Sequence, residues 1–191
     1  MQDTKKKVPL DEAMEQVRVI GARLAMLHLA YARLLVETHG PEKGKDLILK
    51  AIMEYGKMVG RRNKSGRQDL PVYGLHDKYT YKGETLVDAR DKSREGFDYS
   101  AYKVFGCVLA KTFLELGAPE LGALYCYVDP AKSMAVDPSA KLVHTACEVC
   151  GDGHCAFESV PTTDEERADF EKNDPRWKNV DPILMVDERG K

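Results

Sequence analysis

Three of the five cysteines in this 191-residue chain fall within nine residues, 147-CEVCGDGHC-155, with His144 just upstream and His154 inside the run. Thiolates and imidazoles are ligands for soft and borderline metals, and a thiolate is also a nucleophile. Cys147 to Gly151 spell C-x-x-C-G, a metal knuckle in which glycine after the second cysteine permits a tight backbone. A structural zinc site needs four ligands, usually from two such knuckles, and no second C-x-x-C exists here. The metal reading therefore takes Cys147, Cys150, Cys155 and His144, with His154, Cys126 or Cys107 available to complete the set. Zinc is the first candidate ion, ahead of an iron–sulfur cluster.

The same run also reads as a hairpin. Asp152-Gly153 suits a two-residue type I′ turn, which pairs Gly151 with His154 and Cys150 with Cys155. Opposed residues have Cβ atoms roughly 4.5–5.5 Å apart, so Cys150 and Cys155 are then close enough for a reversible disulfide. Glu148 and Phe157 share their face in that register, and Cys147 points the other way.

The elements that must position this run divide into helices first and strands after. After Asp11, a plausible N-cap, Met14, Val17, Leu24, Leu27, Tyr31, Leu34 and Leu35 recur at helical spacing up to 39-HGP-41. His28 lies beside that stripe as a core histidine. Leu47, Ile48, Ala51, Ile52, Tyr55 and Val59 mark a second helix ending near Gly60. Residues 61–98 are polar and irregular, with a β-like 78-KYTYKGETLV-87, a basic 61-RRNKSGR-67 and a turn at 74-GLHD-77. A third helix fits 101–117, followed by the apolar, aromatic 121-LGALYCYVD-129. Strands at 141–149 and 155–160 flank the Gly-Asp-Gly turn. Thr163 with Glu166 forms a capping box for a short acidic helix, and Trp177 anchors the tail. The fold class is α+β, a single domain of N-terminal helices packed on a small antiparallel sheet with a C-terminal β-hairpin.

Composition narrows the function. Lys+Arg 29 against Asp+Glu 31 argues against a nucleic-acid binder. The start, MQDTKKKVPL, has charge but no apolar core of a signal peptide, and no run approaches the ~18 apolar residues of a membrane span. Five cysteines without a secretion signal suggest reduced thiols in the cytoplasm. The partners expected are a small molecule and a second copy of the chain, with no membrane.

The run 106-GCVLAKTFLELGAPELGALYCYVD-129, followed by 151-GDGHCAF-157, resembles the L-2-amino-thiazoline-4-carboxylic acid hydrolase-like family. The matching positions are Cys107, 115-ELGAPELG-122, Cys126 with Asp129, and Gly151, Asp152, Cys155 and Phe157. The ending also looks like the four-vinyl-reductase type of ligand-binding domain, which includes sensors. The resemblance implies opening of a C–N bond in a small nitrogen/sulfur heterocycle or related amide. Such chemistry needs a nucleophile at an amidine-like carbon and an acid for the departing nitrogen. Cys126 or Cys155 is then the candidate nucleophile, Asp129 or Asp152 the acid/base, and His154 or His144 the proton shuttle. His144, Cys147 and Cys150 stand where the family usually carries Arg and Thr, which tilts this member toward metal or redox chemistry. The alternative is a small-molecule or metal-binding domain without turnover, acting as a sensor or accessory protein.

Overall fold

The structure, a computed structural model, describes residues 7–65, 73–86 and 96–185. Helix α1 (Leu10–His39) starts after Pro9, so Asp11 sits in its first turn, not at its cap. A carboxylate there still complements the positive end of the helix dipole. Gly40, with φ 80°, ends α1, and Pro41 opens α2 (Pro41–Lys64), which runs one turn past the Gly60 expected from the sequence. The corner is tight: a Cβ on Gly44 would stand 2.6 Å from the Cα of Val36. Residues 66 and 67 of the basic run lie outside the described residues.

Helix α1 buries Gly21, Ala25, Leu29 and Ala32 and exposes Ile20, Leu27, Tyr31 and Leu34. By length and composition it is apolar enough to cross a membrane, with a mean hydropathy of 1.5 over its best window. That corrects the expectation that no run approaches a span, which overlooked how few charges separate its apolar residues. His28 is a core residue as expected. Its Nε2 lies 2.7 Å from the carbonyl of Leu121, and its ring meets Phe113 and Tyr125 edge-on. Burial holds its pKa below the usual 6.5, against the opposing pull of the carbonyl. As pH falls below about 6.5, the unfolded chain gains a proton that the folded chain resists. Stability is then full above that pH and declines below it. Melting curves from pH 7.5 to 5 are expected to fall more steeply for the wild-type chain than for His28→Gln; parallel curves would remove His28 as the cause.

The β-like segment forms β1 (Lys78–Tyr81) and β2 (Glu84–Thr85). The helix expected over 101–117 is instead strand β3 (Tyr102–Phe105) followed by α3 (Val108–Glu115). The alternation decides it: Tyr102 and Val104 are buried while Lys103 is exposed. Gly106, at φ 68°, makes the break, with Asp77 where a Cβ would lie. The apolar 121–129 segment resolves into α4 (Pro119–Cys126) and the start of α5 (Val128–Val136).

Strands β4 (Ala140–Ala146) and β5 (Cys155–Pro161) complete an antiparallel sheet of order β2-β1-β3-β5-β4. The expected hairpin register is corrected: His144, not Glu148, pairs with Phe157, and Ala146 pairs with Ala156 across a bulge at Thr145. The strand stops at Ala146 because Glu148–Cys150 form a 3-10 turn closed by Gly151 at φ 102°. Cys150 therefore does not oppose Cys155 in a ladder.

Helix α5 carries the residues nearest the site and lies hard against α2. A Cβ on Gly56 would come within 2.3 Å of that of Ala131, and one on Gly60 within 2.5 Å of that of Ala135. Small residues at these two turns set how closely α5 approaches. Helix α6 (Asp164–Lys172) begins with the predicted capping box, both halves formed. The tail returns as 3-10 turns at Pro175–Val180 and Pro182–Leu184. Trp177, 1% exposed, pins it against Phe170 and Tyr127.

Candidate functional site

The site is built on the free edge of the sheet. Strand β4 is an edge strand, so alternate amides have no strand partner. Ser133 of α5 accepts from the amide of Leu142, and Asp181 of the tail accepts from the amide of His144. The same Asp181 oxygen lies 2.8 Å from His144 Nδ1. The tail thus covers the edge and fixes the imidazole in one step. On its other side, His144 Nε2 faces Asp129 Oδ2 at 3.6 Å. The other oxygen of Asp129 is ion-paired with Lys132 one turn along α5.

Asp181 is fully buried, and its second oxygen has no hydrogen-bond partner among the described residues. A buried carboxylate is tolerated when a cation answers it. Burial alone would lower the His144 pKa, but the bond to Asp181 and the charge of Asp129 outweigh it and raise the pKa overall. Burial opposes the charge on Lys132 too, and Asp129 again prevails and holds it protonated. The resulting chain of alternating charge is Asp181, His144, Asp129, Lys132.

Beside Lys132 opens a cavity of about 340 Å³, lined by Asn63, Tyr99, Lys132, Ser133, Leu142 and Ser159. That volume suits a small molecule. Tyr102 and Tyr125, whose hydroxyls burial holds strongly protonated, lie within electrostatic reach of Asp129.

The sulfurs meet on the far side of His144. Cys126 Sγ, Cys147 Sγ and a His144 ring nitrogen all lie within 4.8 Å of one another. Cys147 is fully buried, and its sulfur touches those of Cys126, Cys150 and Cys155. Those three thiol donors, Cys126 foremost, draw the Cys147 pKa far down. The same contact, together with burial, pushes the thiols of Cys126 and Cys155 up. Burial holds Cys107 at about 11.

Residues 18–158 match the family model described as L-2-amino-thiazoline-4-carboxylic acid hydrolase. The chain belongs to that family. No curated protein and no solved structure matches it. In this family member two of the residues carrying the resemblance, Cys126 and Asp129, approach His144, while Cys155 packs against Cys147. Asp152 does not join them: its carboxylate accepts from the amide of Cys147 and holds the turn. His154 is also elsewhere, stacked on Phe105. His76 and Asp77, in the turn before β1, contact Tyr79 and Lys111.

Two residues of the charge chain escape a sequence reading. Lys132 gives no signal beyond its i+3 spacing from Asp129. Asp181 lies outside the family match, in a tail of little periodicity. Its one signal is a single carboxylate amid the apolar residues of 180-VDPIL-184.

Proposed function

We propose that this family member hydrolyses a C–N bond in a small nitrogen/sulfur heterocycle, a cyclic amidine of the 2-aminothiazoline carboxylate kind, or a related amide. One observation carries the reading: an imidazole is held by a buried carboxylate on one nitrogen and faces on the other a second carboxylate paired with Lys132, which itself lines a cavity of small-molecule size.

In this mechanism water is the nucleophile. The thiols of Cys126 and Cys155 are held protonated, and the Cys147 sulfur has no solvent-facing surface. Asp129 takes a proton from the water as its oxygen bonds to the amidine-like carbon. The carbon–nitrogen bond then breaks, and the nitrogen leaves with a proton from His144 Nε2. The proton on Asp129 returns to His144 across the 3.6 Å gap, which restores both groups. Asp181 keeps the ring in one orientation throughout, as the buried aspartate does in a Ser-His-Asp triad. Lys132, which lines the cavity, pairs with the other oxygen of Asp129 and fixes its direction.

The test is a ring-opening assay with 2-aminothiazoline-4-carboxylate and related cyclic amidines. Asp129→Asn is expected to reduce kcat at least a hundredfold and to leave KM within a fewfold, because the lost group acts on the transition state. Equal activity in wild type and Asp129→Asn would remove this carboxylate from the mechanism. A second reading, a ligand-binding domain without turnover, is favoured by the closed packing of the sulfurs. Saturable binding of these compounds with no ring-opened product would establish it.

A further inference from the structure

Helix α1 turns small residues toward its own protein and large ones away from it. Gly21, Ala25, Leu29 and Ala32 are buried where α1 packs on α2, α3 and α4. On the opposite side Ile20, Leu27, Tyr31 and Leu34 are 60, 54, 63 and 57% exposed. Apolar side chains gathered in a continuous stripe mark a surface that another body covers.

The spacing says what kind of body. Val17, Ile20, Leu24, Leu27, Tyr31 and Leu34 follow one another at intervals of three, four, three, four and three residues. That is the repeat of a seam between two helices, with Val17, Leu24 and Tyr31 at the a positions and Ile20, Leu27 and Leu34 at d. Val17 and Leu24 are half-buried, so the seam lies open along its d side and at Tyr31.

Charge selects the partner. The g positions beside the seam carry Arg23, Ala30 and Glu37. Arg23 and Glu37 are both exposed, and about 21 Å of helix axis separates them, too far for the two to meet within one chain. In an antiparallel pair each g position faces a g position of the other helix, and each a layer packs on a d. The register that sets Arg23 against the partner's Glu37 also sets Glu37 against the partner's Arg23, because a twofold axis repeats every contact. That same register packs Leu24 on the partner's Leu34 and Leu27 on the partner's Tyr31. Ala30, small and uncharged, faces its own copy between the two ion pairs. One alignment thus satisfies the apolar layers and the charges together. A lipid surface asks for basic residues along the polar margin, whereas this margin carries one residue of each sign.

We propose that α1 is the interface of a twofold-symmetric dimer, in which two copies of this chain pair their α1 helices antiparallel along the Ile20–Leu34 seam. The interface stands apart from the hydrolase reading, since its test needs no substrate and alters no residue around His144.

The test is analytical ultracentrifugation of the full-length chain and its variants across a micromolar concentration series. The wild-type chain is expected to sediment as a dimer. Leu27→Glu, which places a charge in a central layer, should raise the dissociation constant at least about a hundredfold. Circular dichroism should show its helices intact, because the replaced side chain is half exposed and glutamate is a good helix former. Arg23→Glu and Glu37→Arg should each weaken the dimer about tenfold, since the axis repeats each like-charge contact. The double variant Arg23→Glu, Glu37→Arg should restore it, a rescue that only contacts between chains can give. A wild-type chain that stays monomeric throughout, or a dimer indifferent to Leu27→Glu, would overturn the proposal. A double variant weaker than either single one would overturn the antiparallel register. The chain is also mixed with anionic phospholipid vesicles. Monomers that bind them, and lose that binding in Leu27→Glu, would assign the stripe to a membrane surface instead.

Discussion

Asp181→Asn is expected to lower kcat by about three to four orders of magnitude while the fold survives, the scale seen when the buried aspartate of a catalytic triad becomes an amide. One oxygen of Asp181 accepts from both the amide and the ring of His144. An asparagine oxygen can still accept, so the strand edge stays covered. What disappears is the negative charge that answers a buried imidazolium. His144 then gives and recovers its proton less readily, while substrate binding in the cavity is largely untouched. The double variant Asp181→Asn, His144→Gln should be scarcely worse than either single variant, because the two residues act as one unit. Circular dichroism would show that structure is retained, and turnover kinetics would read the effect. An Asp181→Asn protein within tenfold of wild-type kcat would show that His144 needs no counter-charge.

Trp177→Ala should cost about 3–5 kcal/mol of stability, the range for deleting a large aromatic from a core. Its ring fills the space between Phe170 and Tyr127, and Val180 and Leu184 beside it are equally buried. The indole N–H has no partner among the described residues. Trp177→Phe therefore gives up some buried area but also removes an unsatisfied donor, and is expected to cost less than half as much. Urea denaturation of the two variants would measure the difference. Equal losses would mean that the N–H does have a partner, or that the ring is not the anchor. Because Trp177 and Asp181 share one short segment, the alanine variant is also expected to lose turnover under conditions where it remains mostly folded.

The helices were legible because amphipathic periodicity is a local signal. The helix read from Met14 to Leu35 and the capping box at Thr163 and Glu166 both formed. The buried face of that helix, however, is Gly21, Ala25, Leu29 and Ala32, and Leu27, Tyr31 and Leu34 of the expected stripe are exposed. The strand at Tyr102–Phe105 was not legible, since four residues of alternation were outweighed by the longer helical pattern running on from Val104. The hairpin register failed for a different reason. Asp152-Gly153 has the composition of a two-residue turn, but the Asp152 carboxylate accepts from the amide of Cys147 and the glycine that matters is Gly151. Among the site residues, His144 and Cys155 stand out by type and spacing, and Cys126 and Asp129 by the family resemblance. Asp181 does not, because its partner lies 37 residues away and no local pattern encodes a contact across that distance.

The groups that meet at His144 enter the molecule in a fixed order as the chain is synthesised. Cys126, Asp129 and Lys132 come first, the histidine and the knuckle follow, and Asp181 arrives only after α6 and Trp177. Until that last segment docks, the β4 edge lies uncovered and the imidazole lacks its counter-charge. A nascent chain on the ribosome can therefore assemble its helices and most of its sheet before the His144 ring is fixed. The chemistry proposed for His144 waits on the same event that seals the edge against pairing with another strand.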